Sequence, residues 1–187
     1  PMHWIPGNHD NLEAMSQATG ETIPQLQVIE LENWCLILLN SRIEGKPVGR
    51  LSERQLEQLD TLLHQTPQKN TLVCLHHPPF PVDSLWLNNI CLKNGSALFD
   101  ILEKYPQVKA VICGHIHQEA DFTYRGIRLL STPSTCIQFS QGSAEFKLDN
   151  ILPGYRSLYL YADGRLETRV TRLDYFPYEP DTLSTGF

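Results

Sequence analysis

Val108-Lys109-Ala110-Val111-Ile112-Cys113-Gly114-His115-Ile116-His117 is the stretch from which the fold is read. An apolar run closes on a glycine, and two histidines follow at a spacing of two. An apolar run of this length, bounded by a turn signal, predicts a buried strand. Gly114 lets the chain bend, or approach a neighbour closely, where the strand stops. If residues 115–117 stay extended, His115 and His117 point to the same side, because side chains alternate with period two. Two imidazoles then stand at a strand's carboxyl end, where open α/β sheets place their sites. Two surface histidines in a turn are the alternative.

Working outward, Thr71–Leu75 reads as another buried strand, and it too runs into histidine, at His76-His77-Pro78-Pro79. The prolines forbid helix and hold the backbone extended. One histidine there could be a satisfied core residue; an adjacent pair at a strand end weighs against that. Between these strands Asn94 is expected to cap a helix over Gly95–Tyr105, stopped by Pro106. Upstream, Leu51–Leu63 carries a capping box at Ser52 and Gln55, with Leu56, Leu59, Leu62 and Leu63 on one face. His64 falls at its polar end. Trp34–Leu39 is too continuously apolar to face water and predicts a doubly buried central strand, with Leu26–Ile29 beside it. At the start, Pro6-Gly7-Asn8-His9-Asp10 is turn chemistry, and Asn8 or Asp10 can cap a helix over about 10–18.

After His117 the pattern becomes short alternating segments. These are Phe122–Tyr124, Ile127–Ser131, Cys136–Phe139, Glu145–Leu148, Arg156–Tyr161 and Leu166–Leu173. Glycines separate them, and Ala162-Asp163-Gly164-Arg165 is a hairpin signal. The fold class is therefore α/β (α+β): a single domain over 1–187, with an α/β part at 1–117. Residues 118–173 are mainly antiparallel β, and 174–187 form an irregular tail. A two-sheet sandwich with helices outside accommodates both parts.

Composition bounds the function. The 187 residues are 41% hydrophobic with a net charge of −6, enough for a real core. No basic run suggests a nucleic-acid polymer as partner, and no apolar stretch is long enough to span a membrane. Cys35, Cys74, Cys91, Cys113 and Cys136 form no C-x-x-C pair, which suits a reducing cytoplasm. The chain opens at Pro1 on what reads as the end of a strand.

Three strand ends thus carry Asn8-His9, His76-His77 and His115-x-His117. Scattered strand ends converge in α/β folds, and imidazole nitrogen with amide oxygen suits zinc, iron or manganese. Two-metal sites clamp the attacking and leaving oxygens of a displacement at phosphorus. Gly7-Asn8-His9-Asp10, His76-His77-Pro78 and Gly114-His115-Ile116-His117 together resemble the later motifs of the calcineurin-like metallophosphoesterases. Within that superfamily the chain is most similar to the bacterial class III 3′,5′-cyclic-AMP phosphodiesterases. The likeness rests on Cys113–Glu119, Ser131–Phe139 and Leu152–Arg156, and it runs over nearly the whole chain.

The resemblance implies a β-sandwich flanked by helices and two metal ions of iron, manganese or zinc. It implies that Asn8, His76 and His115 bind one ion and His117 the other. His9 would not ligate but would assist the leaving oxygen, while a hydroxide bridging the ions attacks phosphorus. His76 is preferred over His77 because the family motif is His-x-Pro. The family's Asp-x-His and Gly-Asp motifs, which precede the asparagine, have no counterpart in the seven residues before Asn8. The expectation is therefore a chain lacking the first βαβ region of such an enzyme, with an incomplete site that binds at most one ion well and has little or no activity by itself. Asp10, the one acid nearby, reads as a helix cap. Exposed sheet edges would invite a homo-oligomer. The function implied is hydrolysis of 3′,5′-cyclic AMP to 5′-AMP. The alternatives are a broader metallophosphoesterase and an inactive binding or assembly module.

Overall fold

A computed structural model describes residues 1–177, 180 and 181. Its centre is a six-stranded sheet in the order β1 (Leu26–Glu30), β2 (Trp34–Leu39), β3 (Asn70–Leu75), β4 (Val108–Cys113), β6 (Ile127–Ser131) and β5 (Ala120–Tyr124). β2, β3, β4 and β6 run parallel, while β1 and β5 pair antiparallel at the two edges. The apolar runs are continuous because both faces are covered, and period two sorts them cleanly. Cys35, Ile37, Leu39, Val73, Leu75, Val111, Cys113 and Leu129 face one way. They pack with Leu59 and Leu63 of α2 (Glu53–Gln65) and Leu98 and Leu102 of α4 (Gly95–Leu102). Trp34, Leu38, Leu72, Cys74, Ala110 and Leu130 face the other way, towards Leu158, Leu160 and Leu166. Those last three belong to the hairpin of β9 (Gly154–Leu160) and β10 (Leu166–Arg172). The Trp34 indole donates to the Tyr161 carbonyl at 2.7 Å, tying that hairpin to the sheet.

The sandwich expected from sequence is therefore present with a hairpin as its second β layer. Residues 118–173 pair mainly antiparallel, as expected, and β6 in addition joins the main sheet parallel to β4. Its partner in sequence, β5, then returns as the edge strand. Alternation alone could not show this, since a strand's partner lies elsewhere in the chain. The segments expected at Cys136–Phe139 and Glu145–Leu148 shorten to β7 (Gln138–Phe139) and β8 (Leu148–Asp149), which pair with each other. The Asp163-Gly164 turn is present, with Gly164 at φ 88°. Residues 178, 179 and 182–187 of the expected tail lie outside the described residues.

The capping box of α2 forms as read: Ser52 Oγ accepts from the Gln55 N–H, and Gln55 Oε1 accepts from the Ser52 N–H. The first helix, α1, is Leu12–Thr19, and its cap is Asn11 rather than Asn8 or Asp10. Asp10 instead accepts the Gly7 N–H at 2.7 Å and closes the preceding turn. Asn94 precedes α4 without capping it. Its amide bonds both the Leu51 N–H and the Leu51 carbonyl, joining the starts of α2 and α4. One further short helix, α3 (Leu85–Asn88), sits in the loop after β3. Cys35, Cys74, Cys91 and Cys113 are buried, Cys136 is exposed, and all five are free thiols. Among the described residues no helix is long and apolar enough to cross a membrane.

Leu59 is fully buried where α2 meets the sheet. Leu59→Ala should lower the unfolding free energy by about 2–5 kcal/mol, measured by urea denaturation.

Candidate metal centre

Leu39, Leu75 and Cys113 are register partners across β2, β3 and β4. The residues that follow, Asn40-Ser41, His76-His77 and Gly114-His115, therefore emerge side by side at one edge of the sheet. The Gly114 N–H donates to the His76 carbonyl at 3.1 Å, so the two histidine-bearing ends are tied directly. The N-terminal turn, closed by Asp10, brings Asn8 to the same edge. Gly7 makes that approach physical: a Cβ there would stand 2.7 Å from His76 Cε1.

Three ligand atoms converge. His76 Nε2 lies 3.0 Å from Asn8 Oδ1 and 3.1 Å from His115 Nδ1, and His115 Nδ1 lies 3.1 Å from Asn8 Oδ1. An equilateral triangle of two imidazole nitrogens and an amide oxygen has too few hydrogens to satisfy all three contacts cleanly. It does match one face of a metal's ligand sphere, since bonds of about 2.1 Å at right angles set neighbouring ligand atoms about 3 Å apart.

Residues 115–117 are not extended. His115 has φ 69° and His117 φ 51°, and the Ile116 N–H donates back to the Gly114 carbonyl at 2.8 Å in a tight turn. The same-side placement expected from alternation fails for this reason. The turn sends His115 inward to Asn8 and His76, while the His117 ring stacks flat on Phe139 with centroids 4.3 Å apart and planes 3° off parallel. Left-handed backbone at a non-glycine residue costs on the order of 1–3 kcal/mol and persists only where the surroundings enforce it.

His77 is fully buried behind the triangle, its ring centroid 4.6 Å from that of His115. Its Nδ1 is paired with Ser41 Oγ at 2.8 Å, and Gly49 leaves room for its ring, where a Cβ would come within 2.4 Å. Its ligand atom falls within 4.8 Å of those of His76 and His115. Its Nε2 is buried without a hydrogen-bond partner, so His77 stands beside the triangle with one nitrogen tied to Ser41 and the other open. Among the described residues, these three histidines are the one group of three or more His, Cys, Asp or Glu side chains whose ligand atoms converge. Sequence reading missed Ser41 and Gly49; the signal was that Ser41, like His77, is the second residue past the end of a buried strand.

Burial drives the electrostatics. Desolvation lowers the pKa of His76 to about 4, assisted by His117 and His9 and opposed by Asp10. It lowers His77 to about 3 and His115 to about 2, with neighbouring histidines adding to both. His117 is lowered too, chiefly by burial, against a backbone interaction at Ile137. All four rings are thus neutral near pH 7, the form that offers a lone pair to a metal. His77 Nε2, His115 Nε2 and His117 Nδ1 are buried without a well-formed hydrogen bond, although the His115 and His117 rings feel the backbone at Ile90 and Ile137. His9 is exposed and directly follows Asn8, and its charge would lower the pKa of both His76 and His117.

A histidine whose folded pKa is depressed binds fewer protons folded than unfolded once the pH drops below about 6.5. Stability is therefore complete above that value and is lost as pH falls towards the folded pKa, by up to about 1.4 kcal/mol per unit for each ring. Urea midpoints of the metal-free protein should fall steeply between roughly pH 6 and pH 4, and His77→Gln should flatten that slope.

The Calcineurin-like phosphoesterase family model matches residues 1–119. The chain is 46% identical to the 3′,5′-cyclic adenosine monophosphate phosphodiesterase CpdA of Escherichia coli over 189 aligned residues, covering all of this chain and 69% of that protein. It is 43% identical to the CpdA phosphodiesterase of Pseudomonas aeruginosa, with the same coverage. It is 42% identical to a 3′,5′-cyclic-nucleotide phosphodiesterase of Nostoc, over 95% of this chain and 68% of that one. A dimetal phosphatase from Danio rerio shares the fold at a TM-score of 0.59 and 18% identity, over 83% of this chain and 67% of that one. With a matching family model over more than half its length and relatives this similar, the chain belongs to the calcineurin-like phosphoesterase family.

Proposed function

We propose that this chain supplies part of the active site for metal-dependent hydrolysis of a cyclic nucleotide, 3′,5′-cyclic AMP to 5′-AMP, with Asn8, His76 and His115 holding one divalent ion. The observation that carries this reading is the triangle of Asn8 Oδ1, His76 Nε2 and His115 Nδ1 at 3.0–3.1 Å. The names of its relatives supply the substrate. A bound divalent ion supplies Lewis acidity at the phosphoryl oxygens and lowers the pKa of water.

The chain's own residues do the rest. Buried His76 and His115 present lone pairs at neutral pH without competition from protons. Asn8 adds an oxygen that carries no charge and needs no deprotonation. As a water oxygen bonds to phosphorus and the P–O3′ bond breaks, exposed His9 donates a proton to O3′, so the leaving group departs as a hydroxyl. His117 serves a second ion. No carboxylate joins the histidine cluster among the described residues. Neutral ligands do little to screen the repulsion of two adjacent divalent ions. These residues by themselves therefore hold one ion tightly, with iron, manganese and zinc all compatible with the donor set.

Calorimetric titration with Mn²⁺ should give one tight equivalent, weakened at least tenfold in Asn8→Ala and His115→Ala. His9→Ala should keep that affinity while cyclic AMP turnover in excess Mn²⁺ falls by about 10²–10⁴. Unchanged affinity in both ligand variants would overturn the assignment of the triangle.

A further inference from the structure

Ser131–Phe139 stands out in the sequence, yet neither the triangle nor His9 draws on it. In the structure it runs beside His117. The His117 ring lies flat on Phe139, and Phe139 is braced edge-on by Trp86 at 5.0 Å and Phe146 at 5.6 Å. Gln118, the residue after His117, is buried at 7% exposure. Its side-chain amide donates to the Ser140 carbonyl at 3.0 Å and to Ser84 Oγ at 3.2 Å. Its own carbonyl accepts from Ser131 Oγ at 2.6 Å.

These contacts close a circuit. His117 leads by one peptide bond to Gln118, Gln118 bonds Ser140, Ser140 follows Phe139, and Phe139 returns to the face of His117. The circuit surrounds a residue whose backbone is left-handed, a conformation that needs enforcement. A stacked neutral ring can neither rotate out of plane nor flip without breaking the contact, and the Gln118 bonds keep Phe139 from sliding away. Gln118 bonds at both strand ends, its backbone carbonyl at the β6 end and its side chain just past the β7 end.

We propose that Phe139 and Gln118 are positioning residues that fix the plane of the His117 ring and so hold it against the Ile137 backbone, the polar contact that selects its tautomer, so that one nitrogen is presented to the site. The proposal rests on His117 serving as a ligand; groups behind a ligand typically change metal affinity by about 10–100-fold when removed.

The test reads the ring directly, with long-range ¹H–¹⁵N spectra of histidine-labelled protein at pH 8. The wild-type chain should show one His117 tautomer. Phe139→Leu and Gln118→Ala should bring the two His117 ring-nitrogen shifts together towards their mean, as a ring averaging two tautomers does. Phe139→Tyr, which keeps the stack, should restore the separation. The His76 and His115 signals and the backbone amide spectrum should stay in place in all three variants. A single wild-type-like His117 tautomer in Phe139→Leu would overturn the proposal. So would equal disturbance of His76 and His115, which would mark general loosening of the fold. Failure of the ligand reading shows separately, as an unchanged weak second Mn²⁺ binding phase at millimolar ion in His117→Ala with the ring-order result intact.

Discussion

Leu39, Leu75 and Cys113 stand abreast across three parallel strands, and the chemistry of the molecule hangs on the polar residues just beyond them. Parallel pairing makes neighbouring strands point the same way, so their carboxyl ends share an edge. Ser41, His77 and His115 thereby become neighbours although up to 74 residues separate them in sequence (115 − 41). The hydrogen bond from Gly114 to the His76 carbonyl carries the alignment one residue past the strands. Two large apolar clusters, one on each face of the sheet, stabilise that alignment.

The site opposes this stability. Four histidines are held where their charged forms are disfavoured, chiefly by burial. His115 and His117 occupy left-handed backbone, and several ring nitrogens are buried without partners. Each feature costs free energy in the metal-free protein, and neutral buried rings with open lone pairs are the form in which a histidine cluster could hold a metal. Binding an ion to the folded state alone returns stability by mass action. The packing that tolerates these costs is specific. Gly7 and Gly49 stand where a single methyl group would collide with the rings of His76 and His77.

The sequence was legible where one segment carries its own signal. The capping box at Ser52 and Gln55, the limits of Trp34–Leu39 and Val108–Cys113, and the glycine turn at Gly164 all depend on local chemistry, and all appear in the structure. Legibility failed where the answer lay in a distant partner. The choice of Asn11 over Asp10 as helix cap turned on Asp10 having the Gly7 N–H to satisfy. The parallel pairing of β6 with β4 was invisible to alternation. The extended reading of residues 115–117 failed because period two holds only while the strand lasts, and Gly114 ends it.

Sequence alone thus determined that apolar strands end in metal-binding residue types, because apolar continuity and residue chemistry are written locally. Tertiary structure decided which of those residues meet. It put Asn8 against His76 and His115 and turned His77 towards Ser41. It laid His117 on Phe139. Those choices come from strand register and from the space left by two glycines, and both are properties of segments packed together.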